Sequence, residues 1–85
     1  MNYHVHIVST PQRDRLSTGV TNNIAHCIAE QGSETSQLVY FETYDRMELA
    51  HAREAMIKHS ERERTVALVE EFNPDWDDLY SQIRA

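Results

Sequence analysis

The stretch Gln37–Glu42 (QLVYFE) constrains this chain more than any other. It is β-branched and aromatic, and apolar on both of its alternating faces, so it reads as a strand. A strand apolar on both sides has to be covered on both sides, and that predicts a central place in a sheet. Two earlier stretches can pair with it. In Tyr3–Val8 the residues alternate, with Tyr3, Val5 and Ile7 on one face and His4, His6 and Val8 on the other, the period of a half-buried strand. Leu16–Thr21 is a second short strand in which Gly19 marks a bulge or a close backbone approach. A turn over Pro11–Asp14 joins the two.

After residue 44 the period changes from two to 3.6. Asp45-Arg-Met-Glu48 and Ser60-Glu-Arg-Glu63 both have the form of a capping box ahead of a periodic segment. The first segment predicts a helix to about Lys58, with Leu49, Ala52 and Met56 on its inner stripe. The second carries Thr65, Leu68, Val69 and Phe72 and has to stop at Asn73-Pro74. Trp76, Leu79, Tyr80 and Ile83 then recur at helical spacing, which predicts a terminal helix starting at Asp75. Between the second and third strands, Thr21 or Asn22 can cap a helix with Ile24, Cys27, Ile28 and Gln31 on one stripe and Gly32 at its end. The order ββαβααα predicts an α+β fold, a three-stranded sheet flanked by helices. With no repeat, linker or low-complexity run, residues 1–85 read as one domain.

Composition removes several function classes. The lone Cys27 rules out a disulfide framework and any Cys-only zinc site, and it suits a reducing compartment. No apolar run approaches the roughly 18–20 residues of a membrane span, and no targeting segment is legible, which makes the cytoplasm the expected location. The formal net charge is −6, and proteins that grip phosphate backbones are basic on at least one face. Any such face would have to come from Arg46, Arg53, Lys58, Arg62 and Arg64. Most of the acidic surplus lies after residue 65, in Glu70, Glu71, Asp75, Asp77 and Asp78.

The succession YHVHIV, LSTGVTNNI, LVYFETYD, AREAMIK and ALVEEFNPDWDDLY resembles the small stand-alone GIY-YIG domain proteins over nearly the whole chain. The tail NPDWDDLY and the stretch LVYFE are its most specific pieces. The resemblance implies a three-stranded sheet flanked by helices, in a bacterial protein. Active members of the family are divalent-metal-dependent DNA endonucleases. They use a Tyr on the first strand for proton transfer, a second Tyr on the next strand, an Arg on the first helix to hold phosphate and a Glu on the following long helix to bind the metal.

Most of that equipment is replaced here. The first Tyr falls on His6 and the second on Ser17, while the Gly of the second triplet is kept as Gly19. The Arg position falls on Cys27, with His26 beside it. Only the metal-binding Glu is retained, as Glu54, and a Lys position of the subgroup reads Ala55. The loop that is basic in relatives is the short Gly32–Ser36. Phosphodiester cleavage needs a base, a charge to hold the phosphate and a metal to steady the leaving oxygen. Losing a single electrostatic donor costs about 10²–10³ in rate.

The expectation is therefore a family member with a degenerate site over His6, Ser17, Cys27 and Glu54, acting as a binding or interaction module. A weak or altered Mg²⁺- or Mn²⁺-dependent DNA endonuclease is the alternative. A metal-binding protein using Glu54 with His4 and His6 is a second alternative, since H-x-H on one strand face with a carboxylate suits zinc. Each residue also has a plainer reading. The histidines can simply occupy a half-exposed sheet face, Cys27 can be a small buried hydrophobe, and Glu54 can pair with His51 on its own helix. The three Asp residues of the tail suit a helix N-terminus. No cofactor is expected, a protein partner is favoured, and the acidic balance disfavours nucleic acid.

Overall fold

The computed structural model describes residues 2–10, 12, 15–23 and 37–79. Three strands, β1 (Tyr3–Ser9), β2 (Leu16–Thr21) and β3 (Gln37–Tyr44), are followed by two helices, α1 (Met47–Lys58) and α2 (Arg62–Phe72). The strands form one antiparallel sheet in the order β2-β1-β3, so the fold is α+β, as the alternation and the later helical period imply. The helix expected over 22–32 lies outside the described residues. At its start, the Asn23 N–H donates to the Thr21 hydroxyl at 3.1 Å. No helix of the described residues is long and apolar enough to cross a membrane.

The central strand is β1, not β3. Val5 and Ile7 are fully buried, whereas the apolar β3 lies at an edge of the sheet. The chain following α2 covers that edge. The Leu79 N–H donates to the Leu38 carbonyl at 2.7 Å, and the Leu38 N–H donates to Asp78 Oδ1 at 3.2 Å. An irregularity between Ile7 and Val8 shifts the register, so Ile7 faces Tyr40 while Val8 faces Leu38. Val39 is thereby an extra residue on β3, and both Val39 and Tyr40 join the main core.

That core lies between the sheet and the helices and contains Val5, Ile7, Val39, Ala50, Ile57, Val69 and Trp76. A smaller cluster of Val8, Leu38 and Leu79 packs with Phe41. Trp76 and Leu79 thus belong to different clusters, and the tail bends around the β3 edge between them. The bend puts Trp76 at φ 56, a left-handed conformation that costs a bulky residue energy. Asn73 holds it in place. Its amide donates to the Val39 carbonyl at 3.1 Å and the Asp77 carbonyl at 2.8 Å, and its oxygen accepts from the Asp77 N–H at 3.1 Å. The expected terminal helix is therefore absent from 74–79, which form turns and irregular chain. Tyr80 and Ile83 lie outside the described residues. Asp78 ties down a strand edge where a helix N-terminus was expected.

Helix details also differ from the periodicity. The buried stripe of α1 is Ala50 and Ile57, with Arg53 and Glu54 half-buried between them, whereas Leu49 and Met56 are exposed. In α2, Thr65 and Val69 are buried and Phe72 is half-exposed, its ring meeting Tyr40 and Phe41 edge-on at centroid distances of 5.1 and 5.9 Å. Neither capping box forms. The N-caps are Arg46 and Glu61, without side-chain capping bonds, and the Ser60 hydroxyl donates back to the Met56 carbonyl at 2.7 Å.

Candidate functional site

The register decides where the sequence-derived candidates meet. His6 faces Gly19 across β2 and Phe41 across β3, and His4 faces Thr21 and Thr43. Directly opposed residues share a sheet face, so His4 and His6 lie on one face with Gly19 between the strands' side chains. His6 is 4% exposed. Its ring lies over Gly19, where an added Cβ would come within 3.1 Å of two ring atoms. Gly19 is therefore the space into which His6 fits. His4 Nδ1 lies 3.0 Å from the Thr43 hydroxyl.

Burial lowers the His6 pKa, the Glu54 carboxylate raises it, and His4 lowers it a little further; the net shift is downward. His4 is also lowered by burial. The Glu54 carboxylate is thus within electrostatic reach of His6, and the structure brings these two candidates together. Ser17, opposite Val8 on β2, is exposed at the end of the strand. Cys27 lies outside the described residues. Glu54 pairs with Lys58 at 3.4 Å and with His51 at 3.6 Å, both on its own helix. Among the described residues, no three His, Cys, Asp or Glu side chains gather as a metal ion needs.

A second polar cluster escaped the sequence reading. Glu42 of β3 accepts hydrogen bonds from the hydroxyls of Tyr40 and Tyr44. It also accepts from Arg53 Nε of α1, at 3.1 Å to both carboxylate oxygens. Burial pushes the Glu42 pKa up, but the two phenols and the Arg53 charge outweigh it and hold the carboxyl below its ordinary value. Burial and the neighbouring carboxylate push Tyr40 up to about 12. Tyr44 is raised by its bond to Glu42, with burial adding to the effect. Arg53 is raised as well, the Glu42 charge overcoming desolvation. These phenols donate to a carboxylate that is ionised at neutral pH. The cluster anchors α1 on the sheet and so sets the position of the neighbouring Glu54. Its sequence signal was the alternation Tyr40-x-Glu42-x-Tyr44 on one strand face, with an Arg on the helix that follows.

No protein-family model matches this chain, and no curated protein is significantly similar to it. Among solved structures, the solution NMR structure of the UPF0213 protein BH0048 from Bacillus halodurans is similar. It aligns with a TM-score of 0.68 and 22% identity, over 92% of this chain and 93% of that one. At that identity the likeness shows the fold: three antiparallel strands with packed helices.

Proposed function

We propose that this chain is a GIY-YIG-fold protein whose inherited endonuclease site no longer hydrolyses phosphodiesters, and that it acts as a binding or interaction module. The observation that carries this reading is the environment of His6. The residue standing where the family uses a phenol is almost wholly buried, wedged over Gly19, with its basicity lowered. A proton acceptor has to reach its substrate within hydrogen-bond distance, and a ring buried in that way serves packing better than proton transfer. Ser17 offers no phenol. Partially exposed Met47, Leu49, Met56 and Phe72 offer apolar contact for a protein partner.

The alternative, a weak metal-dependent nuclease, draws on the electrostatic pairing of His6 with the retained Glu54. Incubating the protein with supercoiled and branched DNA in Mg²⁺ or Mn²⁺ separates the two. No cleavage above a protein-free blank is expected. Cleavage that disappears in Glu54→Ala would overturn the proposal.

A further inference from the structure

One flank of α2 carries Arg64, Leu68 and Glu71, spaced at i, i+4 and i+7 and therefore aligned on a single helical stripe. Leu68 is half-buried against the main core, while Arg64 and Glu71 are exposed. A furrow of about 230 Å³ lies on the Arg64 side of Leu68, walled from α1 by Arg53, Met56 and Ile57. A second furrow, of about 300 Å³, lies on the Glu71 side and is lined by Tyr40, Leu68, Glu71 and Phe72. Leu68 borders both, so the two meet at this side chain. Met56 and Phe72, one in each furrow, are 62% and 51% exposed.

The charges of the stripe decide what can cover it. Arg64 and Glu71 have opposite signs and lie about 10 Å apart along the helix axis. Neither takes part in an ion pair among the described residues. Half a turn about an axis through Leu68 exchanges the two ends, so that each charge falls on its opposite. Self-complementarity of this kind is what a two-fold, isologous interface requires. The same rotation sets Met56 against Phe72, which gives each furrow an apolar occupant. A uniformly acidic or uniformly basic partner would repel one end of the stripe. The order of charges therefore favours a second copy of this chain.

We infer that this flank is the interface of a two-fold homodimer in which the α2 helices of the two copies lie antiparallel. Leu68 meets its counterpart on the axis, Arg64 pairs with Glu71 of the second copy, and the exposed side of Phe72 covers the furrow at Met56 of the second copy. Antiparallel helices packed about 8–10 Å apart bring such side chains within reach. Met56 and Phe72 leave water on association and supply its apolar part. The two ion pairs fix direction and register. The inference names a partner for the interaction role proposed above and rests on that role, but it does not depend on the loss of nuclease activity.

Sedimentation equilibrium of the full chain, from about 10 μM to about 1 mM, tests the interface. The expected result is a reversible monomer–dimer equilibrium with a Kd of about 10–100 μM, as suits a small transient contact. Arg64→Glu and Glu71→Arg each raise that Kd about tenfold, since each sets two like-charge contacts across the axis. An equimolar mixture of the two single variants restores association, because every contact again joins opposite charges. Both side chains are exposed, so the fold is retained, and a thermal melt checks this. A chain that stays monomeric at about 1 mM overturns the inference and leaves the groove to a different protein. A dimer that either charge reversal leaves unchanged overturns it too, as does a mixture no more associated than its components. None of these outcomes alters the DNA-cleavage assay, so failure of the dimer and failure of the functional reading are told apart.

Discussion

Glu42 and Glu54 are buried to the same degree, with side chains 19% and 18% exposed, yet they are held in opposite ways. Three donors from two elements grip Glu42, and its principal cation comes from a helix eleven residues away in sequence. Among the described residues, Glu54 forms its ion pairs within its own helix, with His51 and Lys58, whose side chains are 57% and 54% exposed. Burial alone therefore does not indicate what a carboxylate does. Donors from separate elements make Glu42 part of the architecture, while flexible partners on one helix leave Glu54 able to exchange them.

The largest effect that tests this contrast is on stability. Glu42→Ala leaves Arg53 without its partner and the phenols of buried Tyr40 and half-buried Tyr44 without an acceptor, and should cost about 2–4 kcal/mol in urea unfolding. Glu54→Ala should cost about 0–1 kcal/mol. Equal costs would remove the distinction. Because the Glu42 pKa is held below its ordinary value, its contribution is present above that value and is lost as the pH falls through the lowered one.

A smaller effect reads the reach of Glu54 to His6. Burial lowers the His6 pKa from its ordinary 6.5, so the unfolded chain takes up a proton more readily than the native one. Stability should be full above about pH 6.5 and fall as the pH drops below it. Unfolding measured at pH 7 and 5.5 should show this loss, and His6→Gln should flatten it. Glu54→Gln should steepen it, because the carboxylate that favours the imidazolium is gone. No change of slope in Glu54→Gln would place Glu54 beyond the reach of His6.

The smallest effect concerns the contact beneath the ring. Gly19→Ala should be destabilising with His6 present and neutral or stabilising in His6→Ala, a coupling of about 0.5–1.5 kcal/mol in a double-mutant cycle. Additive effects would mean that His6 and Gly19 do not constrain one another.

The strands were legible because period two survives in short segments. Tyr3–Val8, Leu16–Thr21 and Gln37–Glu42 all lie within the observed elements or at their bounds. The helices after residue 44 were equally plain, but their inward faces were misread. Arg53 and Glu54 take half-buried places on α1 that hydrophobicity would assign to Leu49 or Met56. A charged residue is placed inward only by a partner, and Glu42, on another element, is not adjacent to Arg53 in the sequence. Among the candidate site residues, His6 and Glu54 meet electrostatically, and Ser17 lines a separate cleft that no motif marks. Nothing in the order of residues shows that β2 and the α1–α2 junction come together.

The apolar run Gln37–Glu42 by itself determined that both faces of a strand had to be covered. Transfer of its side chains from water is a local property, read from residue types alone. Only the tertiary structure decided how. The strand lies at the edge, a register shift sends Val39 and Tyr40 together into the main core, and the tail from Asn73 to Leu79 bends through a left-handed Trp76 to cover the edge. Those choices rest on backbone hydrogen bonds and packing between segments some 40 residues apart. Such pairings carry no periodicity in either segment.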